Sequence, residues 1–175
     1  MTMLNKLVFS IVLFTSCYGL ALADTAIPDA VKVPDGKKSL LTVHAKGDQI
    51  YLCVLDTGVY TWKWQAPDAE LFDNQAQTLV GSHGAGPSWK YRDGSSAKAK
   101  VIQKADAPDK ANVPWLLLEV TGHKGDGLMG QVSYIQRINT QGGVSPTSGC
   151  DANHLGSEKR VAYSADYVFY GKQSL

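Results

Sequence analysis

Beyond its first two dozen residues the chain has no apolar run approaching the ~20 residues that a membrane helix requires, so the remainder is expected to be soluble. It has no surplus of either charge. Lysine and arginine number 17 against 16 acids, and discounting Lys6 in the leader leaves sixteen of each. A balanced and scattered charge gives no electrostatic reason to expect nucleic acid or an anionic membrane as a partner. No Lys/Arg patch interleaves with aromatics. The four histidines, His44, His83, His123 and His154, have no metal-site spacing, and neither H-E-x-x-H nor G-x-S-x-G occurs. No motif calls for a cofactor, and none is expected. Nor does a 3.6-residue apolar period persist over three turns; Ala66 to Leu79 comes nearest, bounded by Pro67 and Gly81.

The beginning reads as a leader. Lys6 provides the positive start, Leu7 to Phe14 the short apolar region, and Ala21-Leu22-Ala23 the small-x-small pattern for cleavage before Asp24. Residues 1–23 are therefore expected to be a signal peptide and the protein to be secreted or periplasmic. Lipid attachment at Cys17 is the lesser alternative, because Phe14 stands where such boxes usually carry Leu. The mature chain, 175 minus 23 or about 152 residues, is long enough for one domain with a real core. Its two cysteines, Cys53 and Cys150, are most simply a disulfide in an oxidising compartment; a catalytic or metal-binding thiol is the alternative.

Short strands broken by Gly, Pro and Asp turns dominate the mature chain. Residues 24–45 read as an extended lead-in containing a short candidate strand at Leu40 to His44, with a turn at Lys46-Gly47-Asp48 and a single all-β domain from 46 to 175. Gln49 to Leu55 and Val59 to Trp64 form the clearest hairpin, with Tyr60, Trp62 and Trp64 on one face. That face is either core packing or an exposed platform for sugar rings. Lys98 to Lys104, Trp115 to Val120, Gln131 to Thr140 and Val161 to Tyr170 are further strands. The pattern predicts an all-β fold, an antiparallel sandwich or barrel with long irregular loops and one disulfide.

Several catalytic patterns fail in context. Gly125-Asp126-Gly127-Leu128-Met129-Gly130 spells a dinucleotide fingerprint, but a strand comes next where a helix is needed, and Asp126 would repel phosphate. Val54-Leu55-Asp56-Thr57-Gly58 resembles the aspartic-protease motif, yet it occurs once and sits on a hairpin turn. Ser95-Ser96-Ala97-Lys98 lacks the helix that S-x-x-K requires.

One stretch stands out: Gly81-Ser82-His83-Gly84-Ala85-Gly86-Pro87-Ser88-Trp89, where glycine and proline impose an irregular path next to an imidazole and an indole. Its pattern Gly81-x-His83-x-Ala85-Gly86-Pro87-x-Trp89 is followed by Asp93-Gly94-Ser95, Pro114-Trp115-Leu116-Leu117, Tyr134-Ile135-Gln136-Arg137 and Thr140-x-Gly142-Gly143. Cys150-Asp151 and Tyr163-x-Ala165-x-Tyr167-x-Phe169-Tyr170 complete the set. Over about Lys46 to Gly171 this resembles a family of small secreted bacterial and fungal proteins known only as a domain of unknown function. The family commonly has an aromatic residue after the histidine, where this chain has Gly84. The resemblance brings no established activity; it implies that His83, Trp89, Asp93, Gln136 and Arg137 belong to the family pattern. Arg137 is suited to hold Asp93, nearby carbonyls or a ligand carboxylate.

The leading expectation is a non-enzymatic binding module for a small or glycan-like ligand, with His83, Trp89, Asp93, Gln136 and Arg137 as candidate contacts. The alternatives are a hydrolase or lyase with His83 as general base oriented by Asp93, or a structural or stress-associated envelope protein.

Overall fold

The computed structural model describes residues 26–73 and 77–172; the expected signal peptide and Cys17 lie outside the described residues. Eight antiparallel strands run in chain order around a closed barrel: β1 (Lys37–Asp56), β2 (Val59–Asp73), β3 (Leu79–Gly84), β4 (Ser88–Tyr91), β5 (Ser96–Ala105), β6 (Trp115–Lys124), β7 (Val132–Gly142) and β8 (Glu158–Lys172). Each pairs with its neighbour in sequence, and β1 closes the ring against β8, from Lys37 opposite Lys172 to Leu52 opposite Glu158. Closure removes the sheet edges around the middle of the wall, where every strand is paired on both sides.

The alternation in the sequence is the alternation of the wall. Tyr163, Ala165, Tyr167 and Phe169 of β8 face inward and are buried, as are Val43 and Ala45 of β1 and Ala69 and Leu71 of β2. Small residues such as Ala45, Ala69, Ala97 and Ala165 make room for the bulk of Trp89, Tyr167 and Phe169. Outside the wall, Val31 of a single 3-10 turn (Asp29–Val31) packs on Trp115 and Leu117, the outward residues of β6.

The expected turn at Lys46-Gly47-Asp48 is instead the middle of β1, and the barrel wall starts at Lys37, within the stretch expected to be lead-in. Gly47 is there for close approach: a Cβ would lie 2.1 Å from the Asp68 carbonyl oxygen on β2. The stretch around His83 is a tight hairpin between β3 and β4, joined by Ala85-Gly86-Pro87.

Because strands alternate in direction, the connections gather at two ends. The β1–β2, β3–β4, β5–β6 and β7–β8 links form one end; β2–β3, β4–β5 and β6–β7 lie at the other, with the start of β1 and the end of β8. The second end is sealed. A 3-10 turn (Leu128–Gln131) in the β6–β7 link brings Met129 into the core with no exposure. Asp93 Oδ1 accepts from the Ser95 amide (2.9 Å) and hydroxyl (2.5 Å), Asp93 Oδ2 accepts from the Leu128 amide (2.8 Å), and Ser95 Oγ accepts from the Met129 amide (3.1 Å). A Cβ at Gly127 would meet Asp93 Oδ2 at 2.3 Å, so a larger residue there would displace the carboxylate from this network. The glycine-rich segment that mimics a nucleotide loop is thus part of the seal.

Candidate functional site

The first end is open. β2 pairs with β3 only from Ala69 onward, so the outer half of the β1–β2 hairpin rises beyond the closed wall as an arm. Its two-residue turn, Thr57 (φ 47°) and Gly58 (φ 85°), has both residues left-handed, as a twisted hairpin favours. A bulge at Gln65, between the pairs Ile50–Ala66 and Tyr51–Trp64, changes the phase of the strand. Trp64, Trp62 and Tyr60 thereby continue the inward face of Ala69 and Leu71. They do so where the barrel no longer surrounds them, and Trp64 remains 44 % exposed. The aromatic row is therefore neither a closed core nor a flat outer platform. It forms one side of the barrel mouth.

The facing side is the β7–β8 link. Cys53 on the arm is disulfide-bonded to Cys150 in that link, Trp62 Nε1 donates to the Ser148 carbonyl (2.9 Å), and Tyr51 Oη donates to the Gly143 carbonyl (2.7 Å). Two rims that are far apart in sequence are thus fixed to each other.

Between them lies a cavity of about 290 Å³, lined by Gln49, Trp64, His83, Trp89, Arg137 and Tyr167 among others. His83 and Trp89 are cross-strand partners on β3 and β4, both directed into the barrel. Their rings stack with centroids 4.2 Å apart and planes within 8°, and Tyr167 packs edge-on against both, at 5.0 and 5.5 Å.

His83 Nδ1 lies 2.9 Å from the Ser88 carbonyl oxygen. A carbonyl only accepts, so Nδ1 carries the hydrogen and Nε2 is left as an acceptor. Burial pushes the His83 pKa down to about 4; the Ser88 hydrogen bond opposes the shift and the positive charge of Arg137 adds to it. At neutral pH the ring is uncharged.

Arg137 is the charge in this interior. It is 9 % exposed, yet among the described residues no carboxylate pairs with it. Nε and Nη2 both donate to a single acceptor, the Pro114 carbonyl (3.2 and 2.8 Å), and Nη1 has no protein partner. Around it sit buried donors without well-formed hydrogen bonds: Gln49 Nε2, Trp89 Nε1 and Tyr167 Oη. Gln49 Oε1 is satisfied by Trp64 Nε1 (2.6 Å), which ties the mouth to the wall. Burial raises the Tyr167 pKa, and the Arg137 charge works against that rise. The Tyr163 and Tyr167 hydroxyls are near enough to Arg137 for its charge to bear on both, and their polar neighbours are loose contacts, Gln49 and Tyr167 for Tyr163, Tyr163 and Arg137 for Tyr167. Leaving a buried polar group unpaired costs about 1–3 kcal/mol, so this end of the barrel holds several costly groups in one place.

Three of the five residues expected at the site, His83, Trp89 and Arg137, line this one cavity. The other two do not. Asp93 is at the sealed end, where its bonds to Ser95 and then Leu128 hold its carboxyl below the usual carboxylate range; the expected orientation of His83 by Asp93 is replaced by the Ser88 carbonyl. Gln136 lies on the outer wall, where Nε2 donates to the Val31 carbonyl (2.6 Å) and Oε1 accepts from Tyr170 Oη (3.3 Å). Consecutive strand residues face opposite ways, so Gln136 and Arg137 were never able to share a site. Of Arg137's expected partners, it takes a carbonyl and not Asp93. Gln49 and Tyr167 were missing from the expected set, and Trp64 was there only as part of the aromatic face. Their signal was phase: Gln49 follows Val43, Ala45 and Gly47 on the inward face of β1, and Tyr167 is in step with Tyr163 and Ala165.

The fold and this cavity together define a small closed antiparallel β-barrel, sealed at one end and polar inside the other. Residues 34–171 match the family model described as "Protein of unknown function (DUF3455)", and the chain belongs to that family. No curated protein and no solved structure matches it.

Proposed function

We propose that this protein is an exported, non-enzymatic binding protein that takes a small molecule into the open end of its barrel. The observation that carries the reading is Arg137: a guanidinium nine-tenths buried, in an aromatic and aliphatic cavity, with a free Nη1 and no carboxylate among the described residues. A buried cation without a counterion is destabilising, and such groups are retained where recognition needs them. The family pattern supports it too, since His83 and Trp89 of the Gly81–Trp89 stretch and Arg137 after Tyr134 are positions lining the cavity. Export is supported by the leader-like beginning and by the disulfide, which suits an oxidising compartment.

Binding is favoured over proton-transfer catalysis by the state of His83. A histidine whose pKa is about 4 is a weak base at neutral pH, far from the value that general-base catalysis favours. A purely structural role predicts something different for Arg137, namely that its loss unfolds the barrel. The test is native mass spectrometry of the protein purified under mild conditions, alongside Arg137→Gln. A small molecule released on denaturation of the native chain and missing from the folded variant is the expected result. An empty native protein, together with a variant that fails to fold, would return Arg137 to architecture.

A further inference from the structure

Resting on that reading, we infer that the ligand is a small monocarboxylate with a flat apolar body. Three features of the cavity point the same way. First, its hydrogen-bonding inventory is one-sided. Arg137 offers Nη1 and the second hydrogen of Nη2, Trp89 Nε1 is a buried donor without a partner among the described residues, and the Gln49 and Tyr167 donors have only loose contacts with Tyr163 and Arg137. Among the described residues no Asp or Glu lines the cavity. A carboxylate is acceptor-only and matches the planar guanidinium through two parallel bonds. A neutral sugar needs an acceptor for each hydroxyl hydrogen, and the lining side chains offer few: His83 Nε2, since its Nδ1 is committed to Ser88, and the oxygens of Tyr51 and Tyr167.

Second, the charge count is one. Among the described residues Arg137 is the sole cation lining the cavity, and His83 is neutral there, so one negative charge is compensated and a doubly charged phosphate is not. Third, the walls are flat and apolar. The stacked His83–Trp89 pair, with Leu116 and Leu118 on β6, gives surfaces for a ring rather than for a hydrated chain. At ~30 Å³ per water-sized group, 290 Å³ leaves room for about ten non-hydrogen atoms. That is the size of a one-ring acid.

Benzoate and its neutral isostere benzamide separate these requirements. In calorimetric titrations the native protein should bind benzoate at least about tenfold more tightly than benzamide, the usual margin for a charge-assisted bond. Arg137→Gln should bind both equally, and Arg137→Lys should recover part of the preference. Equal binding by the native protein, or a preference that survives in Arg137→Gln, overturns the carboxylate assignment; so does failure of both probes to bind. Xenon-dependent amide shifts then show whether the binding reading falls as well. Xenon entering beside Trp89 and Leu118 keeps the cavity open to a guest of other chemistry, whereas no shift at either residue removes both readings together.

Discussion

Both ends of the barrel are built from links between neighbouring strands, one end sealed and the other open, and they treat polar groups in opposite ways. At the sealed end, Asp93 and Ser95 form a compact network that engages the Leu128 and Met129 amides. At the open end, Gln49, Trp89 and Tyr167 hold donors without well-formed bonds around a cation whose one well-formed acceptor among the described residues is a carbonyl. A satisfied network fixes a fold; an unsatisfied one at the same depth costs stability and gives nothing back unless something else completes it. Charge and hydrogen-bonding residue types alone would not separate architecture from the proposed recognition in this chain. Completion would.

Severing the staple of the open end should have the largest effect. Cys53→Ser with Cys150→Ser releases a crosslink between residues 97 apart and should cost roughly 4–5 kcal/mol in the chain-entropy account, read as a lower urea midpoint. The arm and the β7–β8 link should separate, and any ligand should dissociate faster. At the sealed end, Met129→Ala empties a fully buried site and should cost about 2–5 kcal/mol while leaving ligand affinity unchanged. A parallel loss of affinity would show that the ends are coupled and blur the contrast.

Acid should act on the open end through His83. Its folded pKa, about 4, lies below the ~6.5 of an unfolded chain, so protons favour the unfolded state. The contribution is whole above about pH 6.5, is lost progressively as pH falls toward 4, and changes no further below that. At ~1.4 kcal/mol per unit it amounts to roughly 3 kcal/mol, visible as the part of the acid slope that His83→Gln lacks. The smallest change in stability should come from Arg137→Gln. Removal of an unpaired buried charge offsets the weakened bond to Pro114, so unfolding free energy should move by less than about 1 kcal/mol, or rise. A loss of several kcal/mol in a denaturant titration would place Arg137 with Asp93 as architecture.

Most of the wall was readable from the sequence, because β-structure writes its two faces as alternate residues. The strands around Tyr51, Leu117, Ile135 and Tyr167 follow that rule directly. The places where reading failed are those where one residue changes the rule. Gly47 looks like a turn and is a close approach between β1 and β2. Gln65 is an extra residue that moves three aromatics from one face to the other, and nothing in its side chain signals this. The site was half legible for a related reason. His83, Trp89 and Arg137 share a phase that points inward, whereas Gln136 is one residue out of phase. Asp93 follows His83 by ten positions, but β4 carries the chain down the barrel in between. Sequence proximity suggested a dyad that strand direction forbids.

The pairing of β1 with β8 also sets an order of events. Every other pair joins strands adjacent in sequence and can form as soon as both are made, whereas β1 acquires its second neighbour only when residues 158–172 exist. Until then, one edge of β1 presents unpaired amides and carbonyls along the stretch from Lys37 to Leu52. A chain that stalls or is cut before Glu158 keeps that edge permanently, with Val43 and Ala45 beside it, and offers it to other chains. For this barrel the hazard of aggregation therefore belongs to timing: it lasts as long as the final strand is missing, and it ends when the first strand meets the last.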